Sequence, residues 1–385
     1  MATFKGYRRP NGTVGVRNSV IVINTVGELA GITRKLAELV PGVVPVVHQL
    51  GRSQFPEDAQ QTLRTLYGTA CHPNVAAALF VGLGHDDPAQ ELAEMMQEAG
   101  WKAHALSFQQ FASVGTLLAE GRAWLEEALA ESRQAKRELA DTSELIIGLE
   151  CGASDAWSGI TANPAIGVLA DLMVADGGTV VLSETTEAIG AEHILARSAA
   201  NQETAEKFLR IVATYEARMR AIGEDVRACN PTPGNIRGGL TTLEEKSLGC
   251  IKKGGSTPLV EVVGYAERPT RKGLVFMDTP GFDAESVAGL AAGGAQIILF
   301  STGRGSPTGS PIVPVIKIGT NPKLYERMPQ HIDVNAGTIL EGLDSLDGVG
   351  RKIYEQIISV ADGELTAAEK HGHHEFSIWR LAETI

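Results

Sequence analysis

The chain has 385 residues, 34 basic and 46 acidic side chains, a formal net charge of −12 and only 5% aromatic residues. That length is enough for two or three domains with their own cores, and the acidic balance excludes nucleic acid or an anionic membrane surface as the main partner. Four cysteines without CxxC spacing imply neither a disulfide scaffold nor a zinc ribbon, and apolar runs such as 20–26 and 295–300 fall far short of the ~20 residues that span a bilayer.

Residues 19–25, 43–48, 77–83 and 102–107 are short, β-branched and apolar, and read as strands. Between them 28–39, 57–69 and 88–99 carry helical periodicity, the last two opening near Pro56 and Pro88. Strands that are apolar almost throughout, alternating with helices, indicate a parallel sheet covered on both faces. A charged, Ala-rich stretch over 115–140 is predicted as a surface helix that closes a first α/β domain, 1–140. A second, 141–385, opens with a strand at 144–149, a helix near 164–175 and a strand at 179–183. A long amphipathic helix follows, with Phe208, Ile211, Val212, Tyr215, Met219 and Ile222 at three- and four-residue steps. Residues 226–258 crowd Pro, Gly, Asn, Thr and Lys into an inserted loop, and strands return at 259–264, 273–278, 296–301 and 312–318. The fold class is α/β: two Rossmann-like units with parallel or mixed sheets and Gly-rich loops at strand ends, where such sheets place their sites.

Three stretches carry chemistry. Residues 148–164 (GLECGASDAWSGITANP) leave a strand through Glu150, Cys151, Ser154, Asp155 and Ser158 and enter a helix around Asn163 and Pro164. Such a cluster suits a small polar ligand, and the helix start suits an anion; an Asx-type turn over a buried Cys is the plainer alternative. In 230–253, Thr241 or Thr242 can cap a helix with Glu244 or Glu245 completing a box. That leaves unexplained a long Gly/Pro/Asn loop bearing Asn235, Arg237, Lys246, Lys252 and Lys253, which is expected to be a lid or a carboxylate-binding arm. In 300–310, Ser301, Thr302, Gly303 and Arg304 follow a strand. The glycine spacing does not open a helix, which rules out a dinucleotide fingerprint, and a backbone nest with Arg304 on a carboxylate is predicted instead. His48 and His85 both end strands expected to be neighbours and are candidates for a shared metal or a general base. His371, His373 and His374 read as a solvated tail.

The quoted stretches, together with GYRRPNGTVGVRN at 6–18 and LFSTGRGSP at 299–307, resemble the altronate/galactarate dehydratase family in its large catalytic part. The resemblance covers nearly the whole chain and includes the sulfolactate sulfo-lyase branch. It implies β-elimination from a small 2-hydroxy carboxylate: loss of water from a sugar acid to give a 2-keto-3-deoxy acid, or release of sulfite from a sulfo-hydroxy acid. It also implies a divalent metal (Fe2+, or Mn2+ or Mg2+) and a small SAF-type domain that this chain would meet as a separate subunit. Sugar-acid relatives carry Cys where this chain has Arg52 and His85, with another near Ala295, which argues against an iron–sulfur centre here.

The resulting expectations are catalytic roles for His48, Glu150, Asp155, Lys253 and Arg304, and substrate contacts from Arg52, Ser154, Asn163, Asn235, Lys246, Ser301, Thr302 and Gly303. A metal would be held by His48, His85 and Cys151. Arg52 would alternatively supply a fixed guanidinium for an extra substrate oxyanion. The protein is expected to be cytoplasmic and homo-oligomeric, acting on a small hydroxy acid. A non-catalytic paralogue that binds such an acid is the rival reading.

Overall fold

Strand Ser19–Asn24 is buried along almost its whole length, which only a sheet covered on both faces allows. In the computed structural model, which describes residues 2–385, it sits inside a four-stranded parallel sheet. The order is Val43–Val46, Ser19–Asn24, Val75–Gly82, Lys102–Ser107. A seven-stranded sheet, also parallel throughout, runs Leu259–Val263, Gly273–Met277, Thr179–Leu182, Ile146–Gly152, Ile297–Thr302, Val315–Gly319, Val334–Asn335. The α/β expectation with parallel sheets therefore holds.

Two readings change. The helix predicted over 115–140 is Val114–Ser132, and Glu138–Asp141 is instead a strand, antiparallel to Thr3–Arg8. At four residues it is too short to register as a period. The strands leading to His48 and His85 are not neighbours, because Ser19–Asn24 lies between them.

One hydrophobic core lies on the face of the large sheet covered by helices Ala162–Ala175 and Leu346–Ala361. A second joins the two sheets, with Ile21, Ile23 and Phe80 packed in one cluster with Val181, Val275, Ile298 and Phe300. Helices Pro56–Ala70 and Asp283–Ala292 meet in that layer. Gly68 permits the approach, since a Cβ there would stand 2.3 Å from the Ala292 carbonyl oxygen. The carboxyl-terminal segment is strapped over the same helix: Gln61 donates to the Trp379 carbonyl, and the Leu381 and Ala382 amides donate to Asp58.

In the large sheet the chain moves from Ile146–Gly152 to one side and returns to start Ile297–Thr302 on the other. The crevice beyond the carboxyl ends of these two strands is a topological switch point, where open parallel sheets bind ligands. Among the described residues no helix is long and apolar enough to cross a membrane.

Candidate active site

The three stretches singled out in the sequence meet at that switch point. Asn235 Nδ2 donates to the Ser154 carbonyl (3.1 Å), and the Ala156 amide donates to Gly238 (3.0 Å). The Arg304 guanidinium lies across Gly234, where a Cβ would come within 2.9 Å of its Nη atoms. Together they wall a cavity of about 650 Å3, lined by Cys151, Ser154, Glu187, Asn235, Lys246, Asp283, Glu285 and Arg304, and by Trp379 and Arg380 of the tail. Residues 226–258 are thus no open loop but short helices forming one wall. Thr242 caps the helix Leu243–Ile251 by accepting from the Glu245 amide.

Beneath the cavity is a buried charged nest. Cys151 ends its strand with its Sγ 3.8 Å from Cys250 Sγ and 3.7 Å from Glu184 Oε1. Glu184 leaves the adjacent strand in a left-handed conformation, φ 69°, a strain of about 1–3 kcal/mol in a non-glycine residue. This turn aims its carboxylate inward, where Oε2 accepts from the Cys151 amide (3.0 Å) and from Lys253 Nζ (2.6 Å). Burial by itself lowers the Lys253 pKa, but Cys151, Cys250, Glu184 and Glu150 around it hold it well above the usual amine range. The hydrogen bond to Cys250, together with burial, raises the Cys151 thiol.

The donors Cys151, Glu184 and Cys250 lie within 4.8 Å of one another and are all buried. A tetrahedral ion with metal–sulfur bonds near 2.3 Å sets its sulfurs about 3.8 Å apart and sulfur to oxygen about 3.5 Å. The observed 3.8 and 3.7 Å fit a divalent ion of borderline softness. Lys253 fixes the Glu184 carboxylate so that its other oxygen faces the thiols, the usual outer-shell arrangement.

Glu150 lies beside the nest, fully buried. Its Oε2 accepts from Ser183 and Ser286, and its Oε1 is without a partner. Burial, then the neighbouring Glu184, pushes its pKa well above the carboxylate range. The folded state therefore holds a proton that the unfolded chain releases, so Glu150 weakens the fold progressively as pH rises above the ordinary carboxyl range. Glu150→Gln, a permanently neutral isostere, should gain steadily on the wild type in urea midpoint as pH rises above the ordinary carboxyl range. A parallel pair of midpoint curves would show that Glu150 is ionised in the folded protein.

Several predicted site residues are placed elsewhere. His48 is 2% exposed; its Nε2 pairs with the Asn24 carbonyl at 2.6 Å and its Nδ1 accepts from the Leu50 amide at 3.1 Å. Burial lowers its pKa to about 4. Both nitrogens are used by backbone, which removes it as base and as metal ligand. His85 and Arg52 border a separate small cavity at the end of the four-stranded sheet, where Arg52 faces Glu28 at 3.8 Å, so neither meets Cys151 or the main cavity. Asp155 is a structural anchor: it accepts from Ser158, Thr320 and Asn321. Asn163 and Ser301 bond to each other at 2.6 Å, and Asn163 Nδ2 also donates to the Gly249 carbonyl. Thr302 Oγ1 accepts from the Gly305 amide, and Gly303 admits the Asp155 carboxyl, whose Cγ would lie 2.3 Å from a Cβ there. These hold the loop in shape rather than face the cavity.

Sequence reasoning missed Glu184, Cys250 as a partner of Cys151, Glu187 and Asp283. Glu184 and Asp283 each follow a strand of the large sheet by a few residues, and polar residues at strand ends were the available signal. Asp283 backs onto Gly152, where a Cβ would stand 2.3 Å from its Oδ2, and burial raises its pKa. Lys246 donates to Glu187 Oε1 (2.8 Å), Asn230 (2.9 Å) and Asn235 (3.1 Å).

A cavity at the switch point of a parallel sheet, with buried ionisable groups converging beneath it, is the architecture of an α/β enzyme for a small polar molecule. Residues 142–384 match the family model described as D-galactarate/Altronate dehydratase, C-terminal, and 6–133 match D-galactarate dehydratase/Altronate hydrolase, second domain. The chain is 39% identical to an altronate dehydratase of Bacillus subtilis (strain 168), over 100% of its own length and 78% of the relative's. It is 38% identical to a (2R)-sulfolactate sulfo-lyase subunit beta of Chromohalobacter salexigens, covering 99% and 98% of the two chains. To a galactarate dehydratase (L-threo-forming) of Escherichia coli (strain K12) it is 34% identical, covering 99% and 77%. The chain belongs to the D-galactarate/altronate dehydratase family, as its motifs implied, and the relatives named here are lyases or a lyase subunit.

Proposed function

We propose that this protein is a β-elimination lyase that removes water from a sugar acid, a small 2-hydroxy carboxylate, to give a 2-keto-3-deoxy acid. The observation that carries this is the convergence of Arg304, Lys246 and Asp283 on one cavity that Cys151 also lines, with Glu184 and Cys250 buried behind it. Elimination next to a carboxylate needs a clamp for that carboxylate, a group to take a weakly acidic carbon-bound proton, and stabilisation of the charge that develops. Arg304 is the clamp, because its forked donors match a carboxylate. The Asp283 carboxylate, raised by burial, faces the reacting region beside Gly152 and takes the proton. Glu285, whose pKa burial pushes up to about 7, lines the same cavity and can supply a proton to a leaving hydroxyl near neutral pH. Lys246, held charged by Glu187 and other nearby anions, adds positive charge to the wall where enolate-like charge builds up.

Cys151, Glu184 and Cys250 would hold a divalent metal, which when bound supplies Lewis-acid polarisation of a substrate oxygen. Cys250→Ser should weaken metal binding by more than about 100-fold, beyond what loss of an outer-shell partner costs. Metal content after dialysis is the measurement, and unchanged content places the metal elsewhere. That one relative is named a subunit beta supports a small SAF-type partner here too.

The test of function is a turnover panel of altronate, galactarate and sulfolactate, with Fe2+, Mn2+ or Mg2+ and with or without a small SAF-type subunit. A 2-keto-3-deoxy acid from a sugar acid is the expected product. Release of sulfite from sulfolactate alone would replace the dehydratase reading with the sulfo-lyase one. Binding of these acids without turnover under every condition would sink both.

A further inference from the structure

A buried ionisable group that the proposed chemistry leaves unused is Lys317. It stands on the strand Val315–Gly319 directly across from Phe300, which in turn pairs with Glu150 on the next strand. The three form a row on the face of the large sheet that helix Asp283–Ala292 covers. Lys317 is 1% exposed and does not line the main cavity. Its Nζ lies 3.5 Å from the centre of the Phe300 ring and donates to the Thr308 carbonyl. Among the described residues no carboxylate is within ion-pair distance of it, so the ammonium rests on one carbonyl and one ring. Burying an amine in that way costs stability, which calls for an explanation.

The carbonyl it holds leads back to the cavity. Thr308 belongs to the same loop as Arg304, and its Oγ1 and that of Ser306 lie 3.5 and 3.4 Å from Asp283 Oδ2. The next amide, of Gly309, donates to Glu375 Oε2 (2.7 Å). A Cβ on Gly152 would stand 2.3 Å from the same Asp283 oxygen and 2.6 Å from the tip of the Phe300 ring. Lysine, ring, loop and carboxyl are thus packed as one block. Burial raises the Asp283 pKa, and Lys317 is the largest influence opposing that rise, while Glu187 adds to it. Burial likewise lowers the Lys317 pKa to about 7, against Asp283 first and then Glu375, Asp333 and Glu150. His373 also faces Lys317. The solvated-tail reading of His371 and His373 needs correcting here, because both rings stack on His331.

We propose that Lys317 is a positioning residue of the elimination: its buried ammonium pins the loop that presents Arg304 and sets positive charge behind the Asp283 carboxyl. The role rests on the lyase reading, with Asp283 as the group that takes the carbon-bound proton. Because Lys317 does not line the cavity, it acts through Thr308 and Asp283 rather than on the substrate. A cation behind a carboxyl favours the ionised form, which is the form able to accept a proton. Buried charges are screened by salt far less than surface ones, so the support holds across ionic strengths.

The test joins a titration that needs no turnover to a pH profile that does, both on the full chain. By NMR of isotope-labelled lysine amines, Lys317 should titrate at about 7 in the wild type. In Asp283→Asn it should titrate at lower pH, because the largest anionic influence on it is gone. Lys317→Met, neutral and of similar length, should move the acid limb of kcat/KM up by roughly one pH unit. Turnover on that limb is then about tenfold lower, and the gap narrows above about pH 7, where the wild-type lysine is neutral too. A lysine that only held the loop would cost the same factor at every pH. A Lys317 titration unmoved by Asp283→Asn would overturn the proposal even if Lys317→Met fails to fold, and so would an unmoved acid limb. A wild type inert toward every acid of the panel is a separate failure, seen before any variant is made: it removes the lyase reading, and this role with it.

Discussion

Arg304→Ala is expected to cut turnover by about 10²–10³-fold, the usual loss when one preorganised donor to a developing oxyanion is removed. The fold should be nearly untouched. Among the described residues no carboxylate lies within ion-pair distance of the Arg304 guanidinium, and its Nε is buried without a partner. Its one bond to another side chain is made by its backbone carbonyl, which accepts from Arg327. Truncation therefore breaks no native ion pair, and a change in unfolding free energy within about 0.5 kcal/mol is expected. An acidic protein that keeps a guanidinium unpaired beside a cavity, and places Gly234 so that it fits, has the charge waiting for an anion. Arg304→Lys should recover only part of the loss, because a point charge lacks the two parallel donors. Steady-state kinetics on the acid that the panel identifies is the check, and normal turnover of Arg304→Ala would reassign the clamp.

Strand positions were legible because parallel strands buried on both faces write themselves as apolar runs. The three polar stretches were legible because each leaves a strand of that kind. Which side chains within them face a ligand was not. Asp155 and Asn163 look as suited to a substrate as Lys246 does, and only the cross-chain bonds to Thr320, Asn321 and Ser301 show that they are already used. His48 misled for the same reason: its two backbone partners, Asn24 and Leu50, depend on a neighbouring strand and a turn that no periodicity reports. The pairing of Cys151 with Cys250 spans 99 residues, and the approach of His331 to His371 spans 40. Neither leaves a local mark. Glu184 is the hardest to see, because its role depends on a left-handed turn that sequence seldom assigns to glutamate.

Lys253→Met should destabilise the protein by about 3–5 kcal/mol, the cost of leaving one charge of a buried pair uncompensated. Lys253 is 0% exposed, and its partner Glu184 is 1% exposed with Oε2 at 2.6 Å, so water cannot take over from the lost ammonium. The loss should be the same at neutral and mildly alkaline pH. The folded-state pKa of Lys253 is raised, so its contribution is complete below the unfolded amine value and fades only as pH climbs through the higher folded one. Adding Glu184→Gln should recover part of the stability, because it removes the orphaned charge and keeps an acceptor for the Cys151 amide; the double-mutant cycle then gives a coupling energy. If the single variant loses under about 1 kcal/mol, the pair behaves as a surface salt bridge would and the nest is hydrated. The double variant should still fail to hold metal, because a neutral amide facing Cys151 and Cys250 replaces the carboxylate that closes the set of donors. Stability and metal affinity would then separate: the lysine is needed for the first, while the glutamate it orients is needed for the second.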